Sequence, residues 1–493
     1  MRNLWPSRPG VVRIISEVVV PASLTLMLYI VRLNDVSFIQ GFLAFALLLI
    51  SWRAYLHWQR SGDYAIPIFA MLSFMYWLYY AVPLFLEEQV VSTIYEPIGH
   101  DLTEAAISKA LIMALTGVCF LWLGMNSRIV QSFVPINPKL SLELNHSTMR
   151  YVRAVLIVGS LLSLSDIPLF LLGEGSRQLI IIVVSVVPLL AFALLFRQVI
   201  RGQADLIDRI LVLGFLAVRF ITGLSSGWLG VFASIVLICG AIYLAERRRL
   251  PRVVLVTVVL FTVFFQVGKE DFRKTYWRSD DPGQGGRVER VAFWIQASFE
   301  KWEEAINDSS GESFRRALNS SVSRISLLNQ TANVIEQTPS VVPYQNGQLY
   351  SYLIVTWIPR FVWPEKPSVN DSNRYYQVAY GLTAEDQLGT VSIAVGLLAE
   401  AFINFGWIGV VAIMFIVGVF FDFYQRIFLG KDSGVLMIAI GLIMLPQFLA
   451  IESQMAQYLG GIFQQVLVTL VVMLPVVQIG SPRRSLKLIP SKL

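Results

Sequence analysis

Apolar residues run nearly unbroken at Val11–Val31, Phe38–His57, Tyr64–Leu86, Ala105–Met125, Tyr151–Leu172 and Leu179–Ile200. The same pattern returns at Leu206–Leu224, Trp228–Ala245, Val253–Gly268, Trp407–Tyr424, Gly434–Ile451 and Tyr458–Ile479. A helix needs roughly 20 apolar residues to cross the hydrocarbon core, so the pattern predicts about twelve transmembrane helices. Val391–Gly406 is also apolar, is shorter than a span and runs directly into one, which predicts a re-entrant or kinked half-helix packed against protein. The roughly 120 residues between the ninth span and this half-helix far exceed an ordinary connection. Within them Phe293, Trp294, Phe299, Trp302 and Ile306, then Phe314, Leu318, Val322, Ile325 and Leu328, recur mainly every three to four residues and predict amphipathic helices. The expected fold is all-α and polytopic. It divides into transmembrane helices 1 to 9 (1–268), a large, partly helical loop (269–390), the half-helix with transmembrane helices 10 to 12 (391–479), and a basic tail (480–493).

Composition sharpens this picture. Of 493 residues, 55% are hydrophobic and 15% charged, against roughly 45–50% and about 25% in soluble domains, which excludes soluble-enzyme, fibrous and disordered classes. The net charge of +6 would suit nucleic acid, but the position of the basic residues argues for membrane topology instead. Arg2 and Arg8, Arg60, the group Arg128, Lys139 and Arg150, then Arg201, and the run Arg247, Arg248, Arg249 and Arg252 fall on alternate connections. Glu87, Glu88, Glu96, Asp101 and Glu104 fall on an intervening one. The positive-inside bias therefore predicts both termini in the cytoplasm, with Arg483, Arg484, Lys487 and Lys492 inside and the large loop outside. The Arg-rich first span reads as an uncleaved anchor. Cys119 and Cys239 both lie in apolar runs, so neither a disulfide framework nor a thiolate zinc site is expected.

The chain has no GxxxxGK[ST] loop, no GxGxxG after a strand and no HExxH, and its only histidines are His57, His100 and His146. No cofactor, resident metal or nucleic acid is expected. Asp280-Asp281-Pro282-Gly283 reads as a turn rather than a carboxylate pair. Ionisable residues in or beside spans are costly and therefore informative; they are Asp166, Arg219, Glu400 and Asp422. Asp166, just before Pro168, suits a helix end at the headgroups, and Arg219 suits the outer end of its helix. Asp422 and Arg426 are spaced as an i,i+4 pair. Glu400, in the half-helix, is placed to accept a proton at the edge of an external cavity, or else is a buried glutamate paired with an arginine. Between the loop and the half-helix, Trp357-Ile358-Pro359-Arg360-Phe361-Val362-Trp363-Pro364-Glu365-Lys366-Pro367 interleaves prolines, aromatics and cations, as irregular backbone at a membrane interface does.

Ile358-Pro359-Arg360 and Trp363-Pro364-Glu365-Lys366-Pro367, followed by Gly396, Glu400-Ala401-Phe402-Ile403-Asn404-Phe405-Gly406 and Trp407-Ile408-Gly409, resemble the Wzy-type O-antigen and oligosaccharide repeat-unit polymerases. The many-helix plan with one large external loop resembles that family as well. Its Ser-Arg-Gly stretch appears here as Gly223-Leu224-Ser225-Ser226-Gly227, with Arg219 upstream. The resemblance implies a multi-pass protein of the bacterial inner membrane, taking undecaprenyl-pyrophosphate-linked glycans as donor and acceptor. It also implies membrane lipids, a chain-length regulator and a flippase as further partners. Such a transfer needs a positioned hydroxyl nucleophile, a base, and cations for the pyrophosphate leaving group. Glu400 and Arg360 are the candidate catalytic residues. Arg219, Arg273, Arg360, Lys366, Arg374 and Asn404 are candidates for substrate and pyrophosphate binding, and Tyr344, Tyr350, Tyr352, Tyr375 and Tyr376 offer faces and hydroxyls to sugars or serve as ordinary interface aromatics. The alternatives are a polysaccharide flippase or secondary transporter, and an O-antigen ligase. The ligase family shows a histidine in its external loop, and Lys269–Thr390 contains none.

Overall fold

The computed structural model describes residues 11–31, 36–133, 140–142, 145–164, 174–277, 285–308, 310–356, 358, 362–363, 365–388, 393–431 and 433–479. Asp166, Arg360 and the Asp280–Gly283 turn lie outside the described residues. Over their described residues, the first nine apolar runs predicted as spans fall on helices: α1 (Val11–Val31), α2 (Phe38–Ser61), α3 (Ile68–Leu86), α4 (Glu104–Met125), α5 (His146–Leu164), α6 (Glu174–Arg201), α7 (Leu206–Ser225), α8 (Leu229–Arg247) and α9 (Arg252–Val267). The loop contributes α10 (Lys269–Tyr276), α11 (Arg287–Asn307), α12 (Glu312–Val322), α13 (Leu328–Gln337), α14 (Ser351–Thr356) and α15 (Asp371–Ala379). After the loop come α16 (Gly396–Phe428), α17 (Val435–Leu449), α18 (Met455–Leu459) and α19 (Ile462–Met473).

Among the described residues, 8 helices are long and apolar enough to cross a membrane, or 9 if α9 and α10, bent by 50° at Gly268, are one span. The sequence expectation of about twelve spans exceeds this for physical reasons. α7 carries Asp208, Arg209 and Arg219, and α17 has only 15 residues.

The core is built on α4 against α16. A Cβ on Gly124 would stand 2.1 Å from the Phe415 carbonyl oxygen and 2.9 Å from the Gly418 Cα, so the two backbones meet through glycine, the close approach by which helices associate in lipid. In α3 the backbone widens into a π turn at Trp77–Ala81, and the Tyr79 carbonyl accepts the Leu327 N–H at 3.0 Å.

The connections sort into two groups by their contacts. In one, Gln59 donates to the Arg248 carbonyl at 3.3 Å and Arg248 to the Gly62 and Tyr64 carbonyls at 3.1 Å. There too Ala65 N–H donates to Leu429, Arg153 pairs with Asp205 and Asp208 at 2.6 and 2.7 Å, Lys431 pairs with Asp63 at 3.4 Å, and Arg197 and Arg201 pair with Glu246. The expected pair of Asp422 with Arg426 forms at 2.8 Å, and two short strands, Leu140–Leu142 and Val477–Ile479, join antiparallel. The other group gathers the acidic connection and the large loop: Asn329 donates to the Glu88 carbonyl at 2.9 Å, Thr103 N–H to Glu336 at 2.8 Å, Ile94 N–H to Gly381, and Arg287 to the Leu164 carbonyl at 3.2 Å. The bundle thus has one face rich in arginine and an opposite face capped by the loop. The predicted loop helix recurs as α11, whose Trp294 is fully buried and donates to the Phe265 carbonyl at 2.9 Å.

Candidate functional site

The predicted half-helix is a distinct piece of backbone. Residues 396–405 are helical, Gly406 breaks the helix at φ 61°, ψ −149°, and the span continues from Trp407. That φ/ψ region is essentially open to glycine alone, and a Cβ there would also come within 3.0 Å of the Tyr344 hydroxyl. The break leaves carbonyls at the end of the half-helix without helical partners. A turn of the loop supplies donors: Gln345 N–H reaches the Ile403 carbonyl and Asn346 N–H the Asn404 carbonyl, each at 3.0 Å.

Glu400 lies one turn into the half-helix and is 0% exposed. Its Oε1 accepts from the Ser372 hydroxyl of α15 at 3.0 Å and its Oε2 from the Met455 N–H of α18 at 2.7 Å. One carboxylate therefore joins three elements. Asn404, also 0% exposed, donates to the Glu400 carbonyl at 2.8 Å and accepts the Gly347 N–H at 3.1 Å. Beside them Gln454 donates to Asn373 Oδ1 at 2.9 Å. Tyr350 stacks on Phe405 with ring centroids 6.2 Å apart, and its buried hydroxyl has no hydrogen-bond partner among the described residues. Burial, with the Glu400 charge adding to it, raises the Tyr350 phenol well above its ordinary range, so it is a neutral O–H, a donor available to a ligand oxygen.

Sequence reasoning expected Glu400 at the edge of an external cavity or paired with an arginine. Neither arrangement is present: the carboxylate is enclosed, and its partners are a hydroxyl and a backbone N–H. The candidate cations are spread. Lys366, 8% exposed, donates to the Val355 and Ile358 carbonyls at 3.1 and 2.7 Å. Arg374 lies on α15 near Ser372 and pairs with Asp371 at 2.9 Å. Arg273 lies over Trp277 at 4.8 Å on α10. Arg219 donates to the Ser185 carbonyl at 3.1 Å and rests over Phe215 at 5.2 Å. The fold brings Glu400 and Asn404 together with the loop, and places Arg273 and Arg219 on α10 and α7.

Ser372 and Met455 escaped the sequence reading because they lie 28 and 55 residues from Glu400, with no periodicity connecting them. Two further carboxyls border the loop. Glu87, 8% exposed, is pushed up to about 7 by burial, which the nearby Ser326 only partly offsets. Glu452, near Tyr79, is raised by burial. Among the described residues no three His, Cys, Asp or Glu converge as metal ligands.

Residues 122–475 match a family model described as a domain of unknown function, DUF8712. The chain belongs to the DUF8712 family. No curated protein and no solved structure matches it. The DUF8712 region opens inside α4 and closes just after α19, so it contains the broken helix, Glu400 and both of its partners; α1 to α3 and the acidic connection precede it.

Proposed function

We propose that this DUF8712 protein is a membrane-embedded glycan polymerase. In this reading it joins oligosaccharide repeat units carried on undecaprenyl pyrophosphate, on the extracytoplasmic face of the bacterial inner membrane. The observation that carries the reading is the broken helix α16, whose half-helix presents Glu400 and Asn404 to a large loop that caps one face of the bundle. The arginine-rich opposite face supports a cytoplasmic placement for the short connections and an external one for the loop. About twelve membrane-associated helices, both termini inside, complete the topology we infer.

The chemistry is displacement at an anomeric carbon. A hydroxyl of the acceptor repeat unit attacks that carbon on the donor glycan, the bond to the lipid diphosphate breaks with its electrons, and the hydroxyl proton passes to a base. In the conformation described, Glu400 acts as a positioning residue: it holds Ser372 on one oxygen and α18 on the other. It serves as the base if the Ser372 hydrogen bond is exchanged for the acceptor hydroxyl. Tyr350 supplies a neutral donor to a sugar oxygen.

The broken span also favours a second reading, a secondary transporter, because discontinuous helices line the binding sites of such proteins. Proteoliposomes containing only the purified protein and lipid-linked repeat units, with no ion gradient, separate the two. Polymer is the expected product. No polymer there, together with movement of the lipid-linked unit once a gradient is imposed, would replace polymerase by transporter.

A further inference from the structure

The long loop helix α11 divides its exposed half into two sectors. With about 100° between successive residues, Val288, Ala292, Ile295, Phe299 and Ile306 fall within an arc of roughly 60°, and all of them are exposed. The neighbouring arc, roughly 100° wide, holds Glu289, Gln296, Glu300, Glu303, Glu304 and Asn307, which are exposed as well. No exposed residue of one kind falls in the other's arc. The rest of the circumference packs on the bundle, with Trp294, Ala297, Ser298 and Ala305 buried. Water accounts for the polar sector and the bundle for the buried one. The apolar sector, where Phe299 is 61% and Ile306 76% exposed, needs a third environment.

The position of α11 says which environment that is. Arg287, its first residue, donates to the carbonyl of Leu164, the last residue of α5, at 3.2 Å. Further along, Trp294 and Trp302 donate to the carbonyls of Phe265 and Phe264 in the last turn of α9, at 2.9 and 3.2 Å. Ser298 packs on Gly268, where α9 ends: a Cβ there would lie 2.5 Å from the Ser298 Oγ. The helix, roughly 30 Å long, therefore lies across the loop-side ends of α5 and α9, at the level where apolar helices give way to water. On α9, Val253, Val256 and Leu260 form an exposed ridge on the same face as Phe264. The Phe264 ring meets that of Phe299 edge-on, with centroids 4.9 Å apart. The lipid-facing ridge of α9 thus runs on into the apolar sector of α11.

We propose that α11 is an interfacial helix whose stripe of Val288, Ile295, Phe299 and Ile306 is seated in zwitterionic lipid, at the boundary of headgroups and acyl chains in the loop-side leaflet. Its three faces then meet three media: protein, hydrocarbon and water. Helices of this kind lie in the plane of the interface, and Trp302, at the border of the apolar sector, has the amphipathic ring that favours such a depth. The choice of lipid follows from charge. Interfacial helices ordinarily carry Lys and Arg beside the stripe. Here Glu289, Glu300, Glu303 and Glu304 stand there instead, and Lys301 answers Glu304 at 3.0 Å. Arg287 and Arg290 lie on the bundle side, Arg290 over the Tyr276 ring at 5.4 Å. Anionic headgroups would be repelled at this range, whereas zwitterionic ones bring an ammonium to the carboxylates. The inference goes beyond the polymerase reading and stands whether or not the chain makes polymer.

The test uses the full chain, with Cys119 and Cys239 replaced by serine, in phosphatidylcholine nanodiscs. Single nitroxide labels are attached to Ile295→Cys, Phe299→Cys and Ile306→Cys on the stripe, and to Gln296→Cys, Glu300→Cys and Glu303→Cys beside it. Relaxation by oxygen, which concentrates in hydrocarbon, is compared with relaxation by a water-soluble nickel chelate. The stripe labels are expected to respond more to oxygen than to nickel, and the flanking labels to reverse that order. In nanodiscs with equimolar phosphatidylglycerol the stripe labels should become more accessible to nickel. A nickel response as strong on the stripe as beside it would put the stripe in water and overturn the proposal. Shielding of the stripe from both reagents would mean that protein covers it, a second copy if dipolar broadening accompanies the shielding, and would overturn the proposal equally. The same depth in both lipid mixtures would overturn the choice of headgroup. If Phe299→Cys does not fold, having lost its contact with Phe264, Ile295→Cys and Ile306→Cys decide.

Discussion

Glu400 is the residue on which the site turns, and its two hydrogen bonds make separable predictions. Glu400→Gln can still accept from Met455 N–H with its amide oxygen and donate to Ser372. A positioning role therefore predicts near-normal protein level and only a modest loss of polymer, whereas a base predicts a rate loss of about 10²–10⁴-fold, both read from initial rates in proteoliposomes. Glu400→Ala strips both partners of their acceptor and should lower stability by about 3 kcal/mol, visible as a fall in melting temperature in detergent. Glu87 gives a pH test. Its folded-state pKa is raised to about 7, so the stability it contributes is fully present below its unfolded value, near 4.3, and is lost as pH rises through about 7. Glu87→Gln should remove this, so that the fall in melting temperature between mildly acidic and neutral pH shrinks by the equivalent of about 2 kcal/mol. Of these residue-level features, the Asp422–Arg426 pair was legible because both ends sit on one helix. The partners of Glu400 were not, because they come from elements that only folding brings beside it.

Among the elements, the broken helix α16 is the most constrained. Gly406→Ala forces a side chain into φ 61° against Tyr344, at a cost of about 1–3 kcal/mol. Lower thermal stability should come with loss of activity, since the 345–347 turn is anchored on the same break. Gly124→Leu tests the α4–α16 contact. With backbone 2.1 Å from the added Cβ position, the helices must separate, and we expect the monodisperse peak to vanish from size-exclusion chromatography. The apolar runs made these helices legible, and the shortness of Val391–Gly406 made the half-helix legible too. The π turn in α3 was hidden, because residues 77–81 read as ordinary apolar helix.

At the scale of the whole molecule, the prediction concerns orientation. With Cys119 and Cys239 replaced by serine, a single cysteine at Gln345, on the loop face, should react with a membrane-impermeant maleimide in cells whose outer membrane is permeabilised. A cysteine at Lys431, on the arginine-rich face, should react only after the inner membrane is lysed. The reverse pattern would invert the topology. The sequence by itself determined that the chain is helical and apolar enough for a membrane, that its basic residues fall on alternate connections, and that the region after α9 is built differently from the rest. Those properties are written in composition and in local period, which neighbours along the chain are enough to specify. Tertiary structure alone decided that Glu400 is enclosed rather than exposed to a cavity, and that Lys366 donates to the Val355 and Ile358 carbonyls. Each of these depends on contacts between residues distant in the chain, and a buried charge takes its chemical role from the partners that packing places around it.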